Sequence, residues 1–116
     1  MGDPAGIGPE VTVRALAVEE IYARSRPLVL GDLDTIRRTV AGIGLPLSVR
    51  LAQDVGDCAF RFGQIDVIQA TTGDLSGIKM GAVSAAAGKA AVECVFRAID
   101  LAKSREIDAI CTAPLN

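Results

Sequence analysis

Leu28-Val29-Leu30-Gly31-Asp32 is the stretch whose reading decides the fold. Three apolar residues in succession, closed by Gly-Asp, mark a short strand that is dry on both faces, the situation of a parallel sheet covered by helices. The flanking segments support this. Upstream, Pro9 to about Ala23 predicts a helix, with Pro9 in the tolerant first turn and Glu10 in the favoured acidic position. Val13, Leu16, Ala17 and Ile21 form its inward stripe, and Arg14, Glu19 and Glu20 face water. Downstream, Asp34 is the expected N-cap of a second helix from Thr35 to about Ile43, striped by Ile36, Val40 and Ile43 and stopped by Gly44 and Pro46.

Leu47 to Leu51 alternates apolar and polar residues, as a half-exposed strand does. Residues 52–64 carry no period and read as loop. Ile65 to Ile68 predicts another strand, and Thr71 to Gly81 is a glycine-rich polar loop. Ser84 caps the clearest element, a helix to about Lys103. Its apolar residues include Ala86, Ala90, Phe96, Ile99 and Leu101, and Lys89, Glu93 and Arg97 stand four apart on its outer face. Ile107 to Cys111 predicts a final buried strand, broken by Thr112-Ala113-Pro114.

Helices alternating with short apolar strands imply an α/β fold: a mainly parallel sheet with flanking helices. A Gly-rich loop that opens a helix ordinarily follows a strand, and here the sequence starts at the loop. Its other end lies just past a strand's C-terminal edge, where open α/β sheets place ligand sites. Residues 1–116 are therefore expected to be part of an N-terminal α/β region of a longer enzyme. The first strand and all downstream sequence would lie outside it.

Composition narrows the chemistry. A net charge of −2, a pI near 5.0 and scattered basic residues leave no nucleic-acid footprint. Cys58, Cys94 and Cys111 fit no metal spacing and read as reduced thiols, Cys94 and Cys111 as inert packing groups. Histidine is absent, so a His-ligated zinc site, a Ser-His-Asp triad or a Cys-His pair cannot be built from these residues alone. The start lacks a signal-peptide pattern. The apolar stretch Val83 to Ala102 is interrupted by Lys89, Glu93, Arg97 and Asp100, so no membrane partner is expected and a cytoplasmic location is.

The sharpest segment is Gly2-Asp3-Pro4-Ala5-Gly6-Ile7-Gly8-Pro9-Glu10. Its three glycines free the backbone for positive φ or close approach, and Pro9 then starts a helix. Asp3 and Glu10 would repel a pyrophosphate at that helix N-terminus, so a site for hydroxyls, an amine or the uncharged part of a cofactor fits better. A tight turn that only joins strand to helix remains the other reading. Gly88-Lys89 lacks the preceding spacing of a phosphate loop. Asp66, Asp74 and Asp108 read as solvated or capping acids.

Met1 to Glu10 resembles the N-terminal signature of the 4-hydroxythreonine-4-phosphate dehydrogenases of pyridoxal phosphate biosynthesis. It is also similar to the G-D-G-I-G-P-E segment of the isocitrate and isopropylmalate dehydrogenases, which share that fold. Val83-Ser84-Ala85-Ala86-Ala87-Gly88-Lys89-Ala90-Ala91 and Ile110-Cys111-Thr112-Ala113-Pro114-Leu115-Asn116 resemble the family's long helix and following strand. The resemblance implies an oxidation of 4-phosphooxy-threonine that uses NAD or NADP and a divalent metal, followed by decarboxylation, in a homodimer. A phosphorylated four-carbon acid or a cyclic diol is the alternative substrate, and a non-catalytic truncated module the alternative role. The family's metal histidines and its Gly-His-Thr-Glu segment lie outside these residues, so no catalytic or metal residue is carried over, and the chain alone is expected to be inactive. Asp3, Gly6, Gly8 and Glu10 are the expected cofactor-binding or cleft-lining residues, joined by Thr112 and Asn116 from strand-end geometry.

Overall fold

A computed structural model describes residues 1–115. Its centre is a three-stranded parallel sheet in the order β1-β3-β2, formed by β1 (Val29–Gly31), β2 (Ser48–Leu51) and β3 (Gln64–Gln69). In register, Val29 lies beside Val67 and Val49 beside Ile65. Successive side chains of a strand point to opposite faces, so β3 feeds two cores. On one face Ile65 and Val67 join Val29 and meet Val13, Leu16, Ile36 and Val40 from helices α1 (Gly8–Leu16) and α3 (Leu33–Ile43). On the other, Ile68 and Leu30 meet Ala98 and Leu101 of helix α4 (Ala85–Lys103). The expected architecture, a parallel sheet with helices on its faces, is what forms.

Local chemistry corrects several boundaries. The predicted helix Pro9–Ala23 divides into α1 and a short α2 (Glu19–Arg24). β-Branched Val18 takes an extended conformation (φ −98°, ψ 114°) between them, which turns Ile21 outward and leaves α2 with no buried residue. The N-cap of α3 is Asp32, not Asp34: the Asp32 carboxylate accepts the Thr35 N–H at 2.8 Å. Asp34 sits exposed in the first turn, 3.7 Å from Arg37. Gly44, left-handed at φ 75°, ends α3 as expected.

The long helix buries Ala87, Ala90, Ala91, Cys94, Ala98 and Leu101, a narrow stripe of small residues against the sheet. Ala86, Phe96 and Ile99, read as part of its apolar content, are exposed. The predicted strand Ile107–Cys111 is corrected as well. It pairs with no other strand among the described residues, and Ile110 and Cys111 are exposed. A buried strand needs a neighbour for its backbone groups, and a cavity separates this segment from the free edge of β1.

Asp66, expected to be solvated or capping, is fully buried on β3. It accepts the Arg50 guanidinium at 3.2 Å and the Phe60 N–H at 2.8 Å, while Arg50 also donates to the Asp57 carboxylate at 2.7 Å. This knot ties β2 and β3 to the turn at 55–57. Burial pushes the neighbouring Cys58 thiol up to about 11, helped by Asp66, so Cys58 stays protonated and unreactive. Asp66→Ala leaves the Phe60 N–H without its acceptor and removes one of the two carboxylates that hold Arg50, so it is expected to lower unfolding stability by roughly 2 kcal/mol, read by urea denaturation. Asp108→Ala, on an exposed acid, is expected to leave it unchanged.

Candidate functional site

The parallel strands all point one way, so their C-terminal ends deliver loops to a single edge of the sheet. Three segments distant in sequence meet there. The Asp3 N–H donates to the Pro114 carbonyl at 3.1 Å, joining the glycine-rich loop to the segment after the long helix. The Gly81 N–H donates to the Ala5 carbonyl at 2.7 Å, adding the loop before that helix.

The glycines divide by role. Gly2 has φ +76°, and a Cβ there would lie 2.7 Å from the Pro114 oxygen, so both conformation and contact require glycine. A Cβ on Gly8 would lie 2.6 Å from the Met1 carbonyl oxygen. Gly6 needs neither: its backbone is ordinary, and a Cβ would meet only Asp3 at 3.6 Å and beyond. Asp3 is buried and accepts the Ala5 N–H at 2.8 Å, while the Gly6 N–H donates to the Asp3 carbonyl at 3.1 Å. Asp3 thus braces the turn Pro4–Ile7 from within.

Of the residues predicted to line a cleft, Asp3, Gly6 and Gly8 share this one loop. Glu10 is exposed and pairs with Arg14 at 2.8 Å along α1. Thr112 is exposed and lines a cavity of about 930 Å³ between β1 and residues 107–113. Asn116 lies outside the described residues. Cys94 is buried as expected, but Cys111 is exposed on the rim of the same cavity and is no packing thiol.

A polar network at the same edge was missed from the sequence. Asp32 accepts from Thr35 with one oxygen and from Gln69 Nε2 at 3.1 Å and Thr71 Oγ1 at 3.4 Å with the other. Burial works against its charge, but the hydrogen bonds from Thr35, Gln69 and Thr71 prevail and hold the carboxyl below its ordinary value. The available signal was the Gly31-Asp32 strand ending with a threonine three residues on, an N-cap pattern. On the neighbouring loop, Glu93 accepts the Thr72 hydroxyl at 2.7 Å and N–H at 3.1 Å, and Lys89 stands 3.6 Å from it. These contacts fix the loop after β3 against α4.

The donor set for a metal is thin. Among the described residues, no three His, Cys, Asp or Glu gather closely enough to hold an ion. The residues present do not by themselves make the divalent-metal centre that the resemblance implies. No helix is long and apolar enough to cross a membrane, among the described residues.

The family described as pyridoxal phosphate biosynthetic protein PdxA matches residues 23–116. The chain belongs to this family. A D-threonate 4-phosphate dehydrogenase of Cupriavidus necator is 46% identical over 122 residues, covering all of this chain and 34% of the relative. Among solved structures, a 4-hydroxythreonine-4-phosphate dehydrogenase from Burkholderia phymatum superposes with a TM-score of 0.91 at 43% identity. One from Klebsiella pneumoniae gives 0.89 at 39%, and each match covers this whole chain and 35% of the other. The chain spans about a third of the length of these PdxA-family relatives, which are dehydrogenases.

Two outcomes test the junction. Gly2→Ala is expected to break the Asp3–Pro114 bond, read as loss of hydrogen-exchange protection at the Asp3 amide, whereas Gly6→Ala preserves it. Because the folded-state value of Asp32 is depressed, its contribution to stability is present above its ordinary value of 3.8 and is lost as pH falls through the folded value. Asp32→Ala should cost about 1 kcal/mol at neutral pH and flatten that acid limb in pH-dependent unfolding.

Proposed function

We propose that this chain is the N-terminal part of a dehydrogenase that oxidises the secondary alcohol of a 4-phosphorylated four-carbon hydroxy acid. NAD or NADP accepts the hydride, and the 3-oxo acid then loses CO₂. The observation that carries the reading is the convergence of the glycine-rich loop with the Thr112–Leu115 segment, in a chain of the PdxA family. Both belong to stretches that resemble the dehydrogenase signatures, Met1–Glu10 and Ile110–Asn116, which lie at opposite ends of the sequence.

The part left to these residues is architectural and electrostatic. Gly2, Gly8 and the internal bond of Asp3 hold a rigid floor at the C-terminal edge of the sheet. Asp3 and Glu10 place negative charge by the start of α1, which disfavours a phosphate there and suits a hydroxyl or amine donor. The nicotinamide cofactor and a divalent metal would be held largely by parts of the enzyme beyond these residues. That enzyme is proposed to be a cytoplasmic homodimer.

The class of substrate divides on C2, which bears a hydroxyl in threonate and an amine in 4-hydroxythreonine. The name of the Cupriavidus relative favours D-threonate 4-phosphate; the names of the solved structures favour 4-phosphooxy-threonine, the substrate used in pyridoxal phosphate biosynthesis. The test is to assay a full-length enzyme containing this chain, with each substrate, NAD or NADP, and with or without a divalent cation. Reduction of the nicotinamide with one substrate at least tenfold better in kcat/KM is the expected result. No reduction with either would overturn the reading. Residues 1–116 alone are expected to give no turnover under the same conditions.

A further inference from the structure

Residues 72–84 lead from β3 to α4 along the C-terminal edge of the sheet, and they are held unevenly. The first part is fixed: Thr72 is gripped by Glu93, and Leu75 is buried. The last residue, Ser84, caps α4 through the Ala87 N–H. Between these anchors, residues 76–83 are mostly exposed. Their hydrogen bonds are local, Ser76 to Asp74, Ile78 to Leu75 and Ala82 to Lys79, with one exception among the described residues. The Gly81 N–H reaches the Ala5 carbonyl of the glycine-rich loop. A segment with few buried contacts and one distant bond opens and closes at low free-energy cost.

Its side chains are unusual for a solvated turn. Gly77 and Gly81 bracket the tip, and Gly81 sits at φ +75°, a conformation that glycine enters freely. Met80 is 72% exposed and Val83 is 90% exposed, so two large apolar groups lie bare three residues apart. Lys79 differs from the other cations of the segments at this edge. Arg14 pairs with Glu10, Arg37 with Asp34 and Lys89 with Glu93, while Arg38 donates to the Thr35 hydroxyl. Among the described residues, Lys79 makes no ion pair.

We propose that residues 76–83 are a strap that closes over ligand bound at this edge, with Lys79 taking a phosphate group and Met80 and Val83 shielding it from water. The proposal rests on the dehydrogenase reading above, in which substrate and dinucleotide each carry phosphate. Asp3 and Glu10 disfavour phosphate at the start of α1, so its charge is met elsewhere, and Lys79 is the uncommitted cation. A lysine ammonium is a mobile point charge with three donors, suited to a phosphate positioned by other groups. Water excluded by closure strengthens that ion pair. Because Gly81 is bonded to Ala5, the strap and the glycine-rich loop are mechanically linked.

The experiment uses the full-length enzyme containing this chain as wild type, Lys79→Met, Lys79→Arg and, as a control in the last turn of α4, Lys103→Met. NAD, NADP, D-threonate 4-phosphate and 4-phosphooxy-threonine are added singly. Calorimetry measures binding, and amide hydrogen exchange is followed over residues 76–83, with residues 64–69 of β3 as the fixed reference. A bound substrate or dinucleotide is expected to raise protection of 76–83 at least tenfold and to leave 64–69 unchanged. Lys79→Met is expected to abolish this rise and to weaken that ligand at least tenfold. Lys79→Arg should stay within threefold of wild type, and Lys103→Met should match it. Which ligand responds identifies whose phosphate Lys79 holds. Binding without protection of the strap, unchanged affinity in Lys79→Met, or an equal loss in Lys79→Arg would overturn the proposal and leave the dehydrogenase reading standing. Binding of none of the four ligands would overturn both.

Discussion

β3 lies between two parallel neighbours and beneath two layers of helix, so Ile65 to Ile68 are all removed from water. Most of the rest of the fold answers to that constraint. Its apolar side chains alternate between the α1/α3 core and the α4 core, and its one buried acid, Asp66, must be satisfied where it stands. Arg50 and the Phe60 N–H meet that need, which in turn fixes the path of residues 52–64. A loop without sequence periodicity is ordered by a single charge that cannot be left bare.

Parallel strands also explain why the candidate site is where it is. Their C-terminal ends fall on one edge, and the segments that meet there are held by hydrogen bonds: Asp32 to Gln69 and Thr71, Glu93 to Thr72, Asp3 to Pro114. Such an edge offers polar groups already fixed in space. The glycines contribute closeness, since Gly2 and Gly8 let backbone meet backbone at distances no side chain would permit.

Much of the fold was legible from pattern. β1, β2, β3, α3 and α4 lie where apolar runs, alternation and caps place them, because each is stabilised by neighbours close in sequence or by a periodic face. The errors share a cause. The helix from Pro9 breaks at Val18, and the stripe of Val13, Leu16, Ala17 and Ile21 gave no warning that α2 would bury nothing. Asp32 and Asp34 are both good caps by residue type; Asp32 is the one that accepts the Thr35 N–H, and Gln69 and Thr71 hold its other oxygen. Ile107–Cys111 has the composition of a buried strand but, among the described residues, no strand partner beside it.

The amino-acid sequence by itself determined the class of the fold, the glycine-rich loop and the family likeness, since apolar periodicity, turn chemistry and linear motifs are local properties of the chain. Tertiary structure alone decided which glycines are sterically required, which acid is buried, and which distant segments meet. Those outcomes depend on the approach of groups tens of residues apart, and no local pattern encodes a distance between them.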